Sequence, residues 1–179
     1  MTTFPHRLMG ASVLDIDTYE EVEADRGATA QALIVVLASS LAGGIGVSGF
    51  VHDGRSLFAG IFIWSAISLI AWASWAVLVF EIGGHLLPEP DTRVDVGELL
   101  RTIGFASAPG LLRVFGIVPE VAFPVFALTT VWMLVAMVVA VRQALDYRST
   151  ARAIGVCALG LALALGIAVG LGFLATPLS

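Results

Sequence analysis

Four long stretches of this chain carry no formal charge, and they constrain the fold more than any other feature. One runs from Arg26 to His52, a second from Arg55 to Glu81 and a third from Glu120 to Arg142. The fourth begins after Arg152 and continues to Ser179. Each run exceeds the roughly 20 apolar residues that cover about 30 Å of hydrocarbon. Hydrophobic residues make up 58% of the sequence and charged residues only 13%, about half the charged share of a soluble domain. A soluble fold of this size could not hide that much apolar surface, whereas lipid tails can replace the missing polar coat. The runs predict an all-α integral membrane bundle with spans at about 29–50, 56–83, 121–142 and 152–175.

A fifth segment, 99–118, reads LLRTIGFASAPGLLRVFGIV and contains Arg101, Pro109 and Arg113. Proline removes a backbone donor and crowds the preceding turn, so a short third helix kinked at Pro109 is expected. Arg101, near one end, can snorkel to the interface. Arginine placement argues that this segment crosses. With five crossings, Arg7, Arg26, Arg93, Arg101, Arg142, Arg148 and Arg152 share one side, against Arg55 and Arg113 on the other. With four crossings the split is nearly even. The positive-inside rule favours the lopsided count and puts the N-terminus in the cytoplasm.

Positions 1–28 form a cytoplasmic or interfacial unit, and 29–179 the transmembrane domain. Phe4, Leu8, Ala11 and Leu14 share a helical face suited to the interface. Asp17 and Glu20 stand at capping-box spacing, and a short acidic helix follows. The acids Asp15, Asp17, Glu20, Glu21, Glu23 and Asp25 precede any apolar run, which is the wrong order for a cleavable leader, so the first span is expected to insert and stay. Net charge is −5 with no basic block, which argues against a nucleic-acid partner. Every basic residue is Arg and none is Lys, a usage that points to a GC-rich genome; the expected location is a prokaryotic plasma membrane. Cys157 is the only cysteine, so no intrachain disulfide can form.

Six polar residues stand out. Glu81 and His85, four apart, share a helical face; the pair can bind a metal or pass a proton, or simply close a helix end. Glu98 and Arg101, three apart, can pair along a helix, with Asp95 as its cap. Arg113 is costly in hydrocarbon, at least about 2.5–3.5 kcal/mol at the bilayer centre. It must therefore meet an anion, a headgroup, or a partner such as Glu120 or Asp53. The acidic run offers a dock for a cation or basic partner, or a solvated face. Small residues recur every fourth position at Ala162, Gly166 and Gly170, and at Ser39/Gly43 and Ser40/Gly44, a spacing that lets helices pack closely within a chain or between copies. No catalytic triad, P-loop, zinc signature or cofactor motif is present, so neither catalysis nor a bound metal or cofactor is expected.

The order of parts resembles a known family. LDIDTYEEVEADRGATAQALIVVLASSLAGGIG leads into the first span, and the second ends at Gly83-Gly84 before a polar loop. DVGELLRTIGFASAPGLLRVFGIVPEVAFPVFALTTVWMLVAMVVAVRQALDY follows, then the turn RSTARAIGV and a last span. The run Phe105-Ala106-Ser107-Ala108-Pro109 and Trp132 carry most of the likeness. The chain resembles the Yip family of Ypt/Rab-interacting membrane proteins in its compact prokaryotic form. The resemblance implies five membrane helices, a cytoplasmic N-terminus and no catalytic residues. Eukaryotic relatives engage prenylated small GTPases and carry a long cytoplasmic arm; the corresponding region here ends near Ala28 and is far shorter. The expected function is a non-enzymatic scaffold, adaptor or complex subunit that binds a membrane protein or a second copy of itself. The alternative is a channel or transporter for an ion or small solute.

Overall fold

The computed structural model describes residues 2–48, 56–88 and 95–175, with side chains as far as 166. The described chain is helical, with no strand among the described residues. Its helices are α1 (Phe4–Ser12), α2 (Ile16–Ala24), α3 (Ala28–Val47), α4 (Leu57–Glu81), α5 (Val96–Phe105), α6 (Pro119–Ala144) and α7 (Thr150–Ala175). A π-helical turn, Ile82–Leu86, extends α4, and a 3₁₀ helix, Ala108–Ile117, follows α5. Among the described residues, three helices are long and apolar enough to cross a membrane: Ala28–Val47, Leu57–Leu86 and Pro119–Ala144.

The lipid-facing character is clearest in α4. Phe58 and Phe62 are 85% and 75% exposed, and the helix turns only Trp75, Ala76 and Val79 fully inward. A helix apolar all round belongs in a bilayer rather than in water. On α6, by contrast, an alanine stripe (Ala136, Ala140 and Ala144) is buried with Met137 and Val141. Small residues let neighbouring backbones approach closely, and the centre is built this way throughout. A Cβ on Gly44 would come within 2.6 Å of the Ile61 carbonyl, so α3 and α4 can meet only at a glycine.

The 99–118 segment is not one kinked helix. The α-helix stops at Phe105, and Pro109 opens a 3₁₀ stretch that runs to Ile117. Proline at 109 has no N–H to continue the ladder, and its ring would press on the carbonyl four residues earlier, that of Phe105. The tighter helix then wedges between α3 and α6. Gly110 lies against Ser39 and Met133, leaving no room for a side chain.

Two chain reversals use the left-handed conformation without glycine. Leu14 has φ 65° and Asp146 has φ 52°. Each ends a helix with the paired bonds of a Schellman motif. Asp15 N–H donates to the Gly10 carbonyl at 2.9 Å and Leu14 N–H to Ala11 at 3.2 Å. Tyr147 N–H and Asp146 N–H do the same to Arg142 and Gln143, both at 2.9 Å.

Candidate functional site

The two N-terminal helices, α1 and α2, fold back as an arm on the bundle end made by α5 and α6. Arg7 is the pin. Its side chain is only 2% exposed, and its guanidinium donates to Glu21 at 2.8 Å, Asp25 at 2.7 Å and the Gln31 amide oxygen at 3.2 Å. Glu21 also accepts from the Thr2 hydroxyl at 2.6 Å. The Thr2 hydroxyl and then Arg7 hold the Glu21 carboxyl down at about 2. Arg7 likewise holds Asp25 below the usual carboxylate range. Two of the six acids expected on a solvated face are thus partners of a buried arginine. Thr18 donates to Asp15 at 2.6 Å, and Asp15 precedes α2, so that helix starts two residues before the capping box expected at Asp17.

Arg101 fixes the arm from the other side. It neither snorkels nor pairs with Glu98. It is 5% exposed, and its Nε donates to the carbonyls of Val22 at 3.0 Å and Glu23 at 3.1 Å, with a further short bond from a terminal nitrogen to Glu23. A guanidinium against the last carbonyls of α2 satisfies groups that a helix end leaves open and meets the negative end of its dipole. Trp132 donates its indole N–H to the Ser12 carbonyl at 2.8 Å, tying the end of α1 to α6. Gln143 donates to Glu20 at 3.1 Å.

Arm and bundle enclose an open polar cavity of about 490 Å³. Glu20 and Glu23 line it from α2, Glu98 from α5, and Arg142, Gln143, Asp146 and Tyr147 from the end of α6 and the turn beyond. Four acids face one arginine here. Burial, then the neighbouring charges of Asp146, Glu98 and Glu20, push the Glu23 carboxyl up to about 7. No group of three or more His, Cys, Asp or Glu among the described residues is arranged to hold a metal ion. Asp95 caps α5 as expected, accepting from the Glu98 amide at 2.9 Å.

The other singled-out residues lie apart from this cavity. Glu81 and His85 face each other at 3.4 Å but are 56% and 60% exposed; the imidazole lies edge-on to Phe80, with ring centroids 5.4 Å apart. Glu120 is exposed in the first turn of α6 and is not the partner of Arg113. Arg113 instead donates to the Thr129 hydroxyl at 3.3 Å and the Thr130 hydroxyl at 2.9 Å, and lies 5.4 Å from the centre of the Phe126 ring. Asp53, its other expected partner, lies outside the described residues. Gly43 and Gly44 face α4 at Ser68 and Ser65, whereas Gly166 faces open space. Gly170 lies beyond the described side chains. Sequence reasoning missed Arg7, Arg142, Tyr147 and the cavity-lining role of Glu23. Arg7 and Tyr147 find their partners far away along the chain, which no local spacing signals, whereas Arg142 donates to the Tyr147 carbonyl, five residues on, at 3.3 Å.

A family model for the Yip1 domain matches residues 15–171. The chain belongs to the Yip1-domain family. The matched stretch runs from the start of α2 into α7, so the cavity lies within the Yip1 domain while α1 precedes it. No curated protein and no solved structure matches the chain.

Proposed function

We propose that this Yip1-domain protein is a non-enzymatic membrane scaffold that receives a basic segment of a partner protein in the cavity between arm and bundle. The supporting observation is the cavity itself, with four carboxylates around one arginine at the end of a membrane bundle. Opposite charge on a partner steers encounter and fixes register. In this reading the bundle crosses five times, α5 and the 3₁₀ helix together make the third crossing, and the arm and cavity face the cytoplasm of a prokaryotic cell. The arginine distribution supports that orientation. Transport is the less favoured reading, because the cavity is not lined by Glu81, His85 or Arg113.

The test is chemical crosslinking in native membranes, followed by purification in mild detergent and mass spectrometry. A stoichiometric partner is expected with the parent chain and is lost with Glu20→Gln/Glu98→Gln. A lone monomer after crosslinking, or a partner captured equally by the double variant, overturns the proposal. A reporter fused after Ser179 should lie outside the cytoplasm.

A further inference from the structure

Arg113 is held differently from the buried arginines of the arm. Its bonds go to two neutral threonine hydroxyls, Thr129 and Thr130, nearly three turns into α6 from Pro119. By helical rise that is about 15 Å along α6 from Pro119. No ion pair is formed by Arg113 among the described residues. A guanidinium carries five N–H donors and no acceptor, and only two of the five are engaged by these bonds. The Thr129 hydroxyl gives its own proton to the Val125 carbonyl at 2.7 Å, so toward Arg113 it acts only as an acceptor. Thr130 is exposed, and its hydroxyl proton meets no acceptor among the described residues. Ser68 lies with the Arg113 side chain against Gly43, and one turn away along α4 the Ser65 hydroxyl is buried with no hydrogen-bond partner among the described residues. The seam therefore offers one guanidinium and several hydroxyls, with no carboxylate bonded to it among the described residues.

An arginine with no counter-charge among the described residues is expensive beside hydrocarbon, and a guanidinium fork matches phosphate oxygens two at a time. We propose that Arg113 and Thr130 form a binding site for a phosphate oxyanion. The free N–H groups of Arg113 grip the oxyanion, and the Thr130 hydroxyl donates to one of its oxygens. Such a group arrives either on a phospholipid headgroup or as free phosphate. The exposed side chains beside the site, Leu112, Phe115 and Val131, present apolar surface along which acyl chains can lie.

The experiment uses the full chain in mild detergent, with native mass spectrometry for phosphatidylglycerol against diacylglycerol and thermal shift for inorganic phosphate against chloride. Phosphatidylglycerol retained by the parent in preference to diacylglycerol, and about tenfold less by Arg113→Ala, supports the site and assigns the lipid source. A rise in melting temperature with inorganic phosphate that Arg113→Ala lacks supports the site and assigns the free source. If neither probe separates parent from Arg113→Ala, the proposal fails. Should Arg113→Ala not fold, Thr130→Val decides, because it keeps the charge and removes, at an exposed position, the one hydroxyl that accepts from Arg113 and donates to the oxyanion. A drop of about threefold in binding of either probe is expected, and unchanged binding of both overturns the site.

Discussion

The arm and the seam around Arg113 solve the same problem in opposite ways. Arg7 and Arg101 are nearly inaccessible, and each finds its acceptors within the chain: two carboxylates and an amide for one, helix-end carbonyls for the other. Arg113 is wrapped by hydroxyls and an aromatic face, with no anion bonded to it among the described residues. An arginine served from within is a fastener, and removing it should loosen structure. An arginine left short of negative charge is a receptor, and its removal should cost binding more than stability.

The largest expected effect is at Arg101. Arg101→Met should cost about 2–4 kcal/mol, because buried carbonyls at the end of α2 lose their donor. Hydrogen exchange across α1 and α2 should speed up while α3 and α6 stay protected. Uniform acceleration over the whole chain would show that the arm does not open separately. Next comes Arg7→Ala, at about 2 kcal/mol; combined with Glu21→Gln it should cost less than the sum of the single changes.

Acidity gives a subtler effect, and its sign differs at the two carboxylates. Glu21 titrates near 2 in the folded protein, against 4.5 ordinarily, so its stabilisation is present above 4.5 and disappears as pH falls toward 2. Glu23 titrates near 7, so its neutral form is the one the fold prefers, and stability declines as pH rises from 4.5 through 7. Glu23→Gln should raise the unfolding midpoint at pH 8 and leave it unchanged at pH 4. A midpoint unmoved at pH 8 would mean that the cavity acids do not crowd one another. Asp146→Gly should stabilise by about 0.5–1 kcal/mol, since glycine takes the left-handed turn without strain. It should also lower the Glu23 titration by removing a neighbouring charge.

A further pair of substitutions separates the two glycine faces, and its second member carries the smallest effect. Gly44→Ala should cost about 1–3 kcal/mol by overpacking α3 on α4. Gly166→Ala should change stability by less than about 0.5 kcal/mol. If Gly166→Leu abolishes an oligomer seen for the parent, that face of α7 is a contact between copies.

The parts legible in the sequence were those with a local cause. Charge-free runs mark α3, α4, α6 and α7, because hydrocarbon tolerates little else. Pro109 and the paired Arg101 and Arg113 mark the third segment as irregular, although the switch to a 3₁₀ helix depends on how it wedges between α3 and α6. The arm was read as a solvated acidic face because nothing near Arg7 in sequence announces that it will be buried among Glu21, Asp25 and Gln31. Leu14 and Asp146 hid two helix ends for a similar reason: both sit where glycine is the usual signal. The cavity draws residues from three parts of the chain, and no motif spans such distances.

The Trp132–Ser12 bond also sets a timetable. The Ser12 carbonyl is made early, but the indole that bonds to it comes 120 residues later, and Arg101 follows Val22 by 79. At about 5–20 residues per second, the ribosome supplies Arg101 roughly 4–16 s after Val22 and Trp132 roughly 6–24 s after Ser12. The arm, made before the bundle residues that hold it, is therefore late to find its seat. During that interval its acidic helix is open to any basic surface nearby, so a partner able to hold it has its best opportunity before the chain is finished.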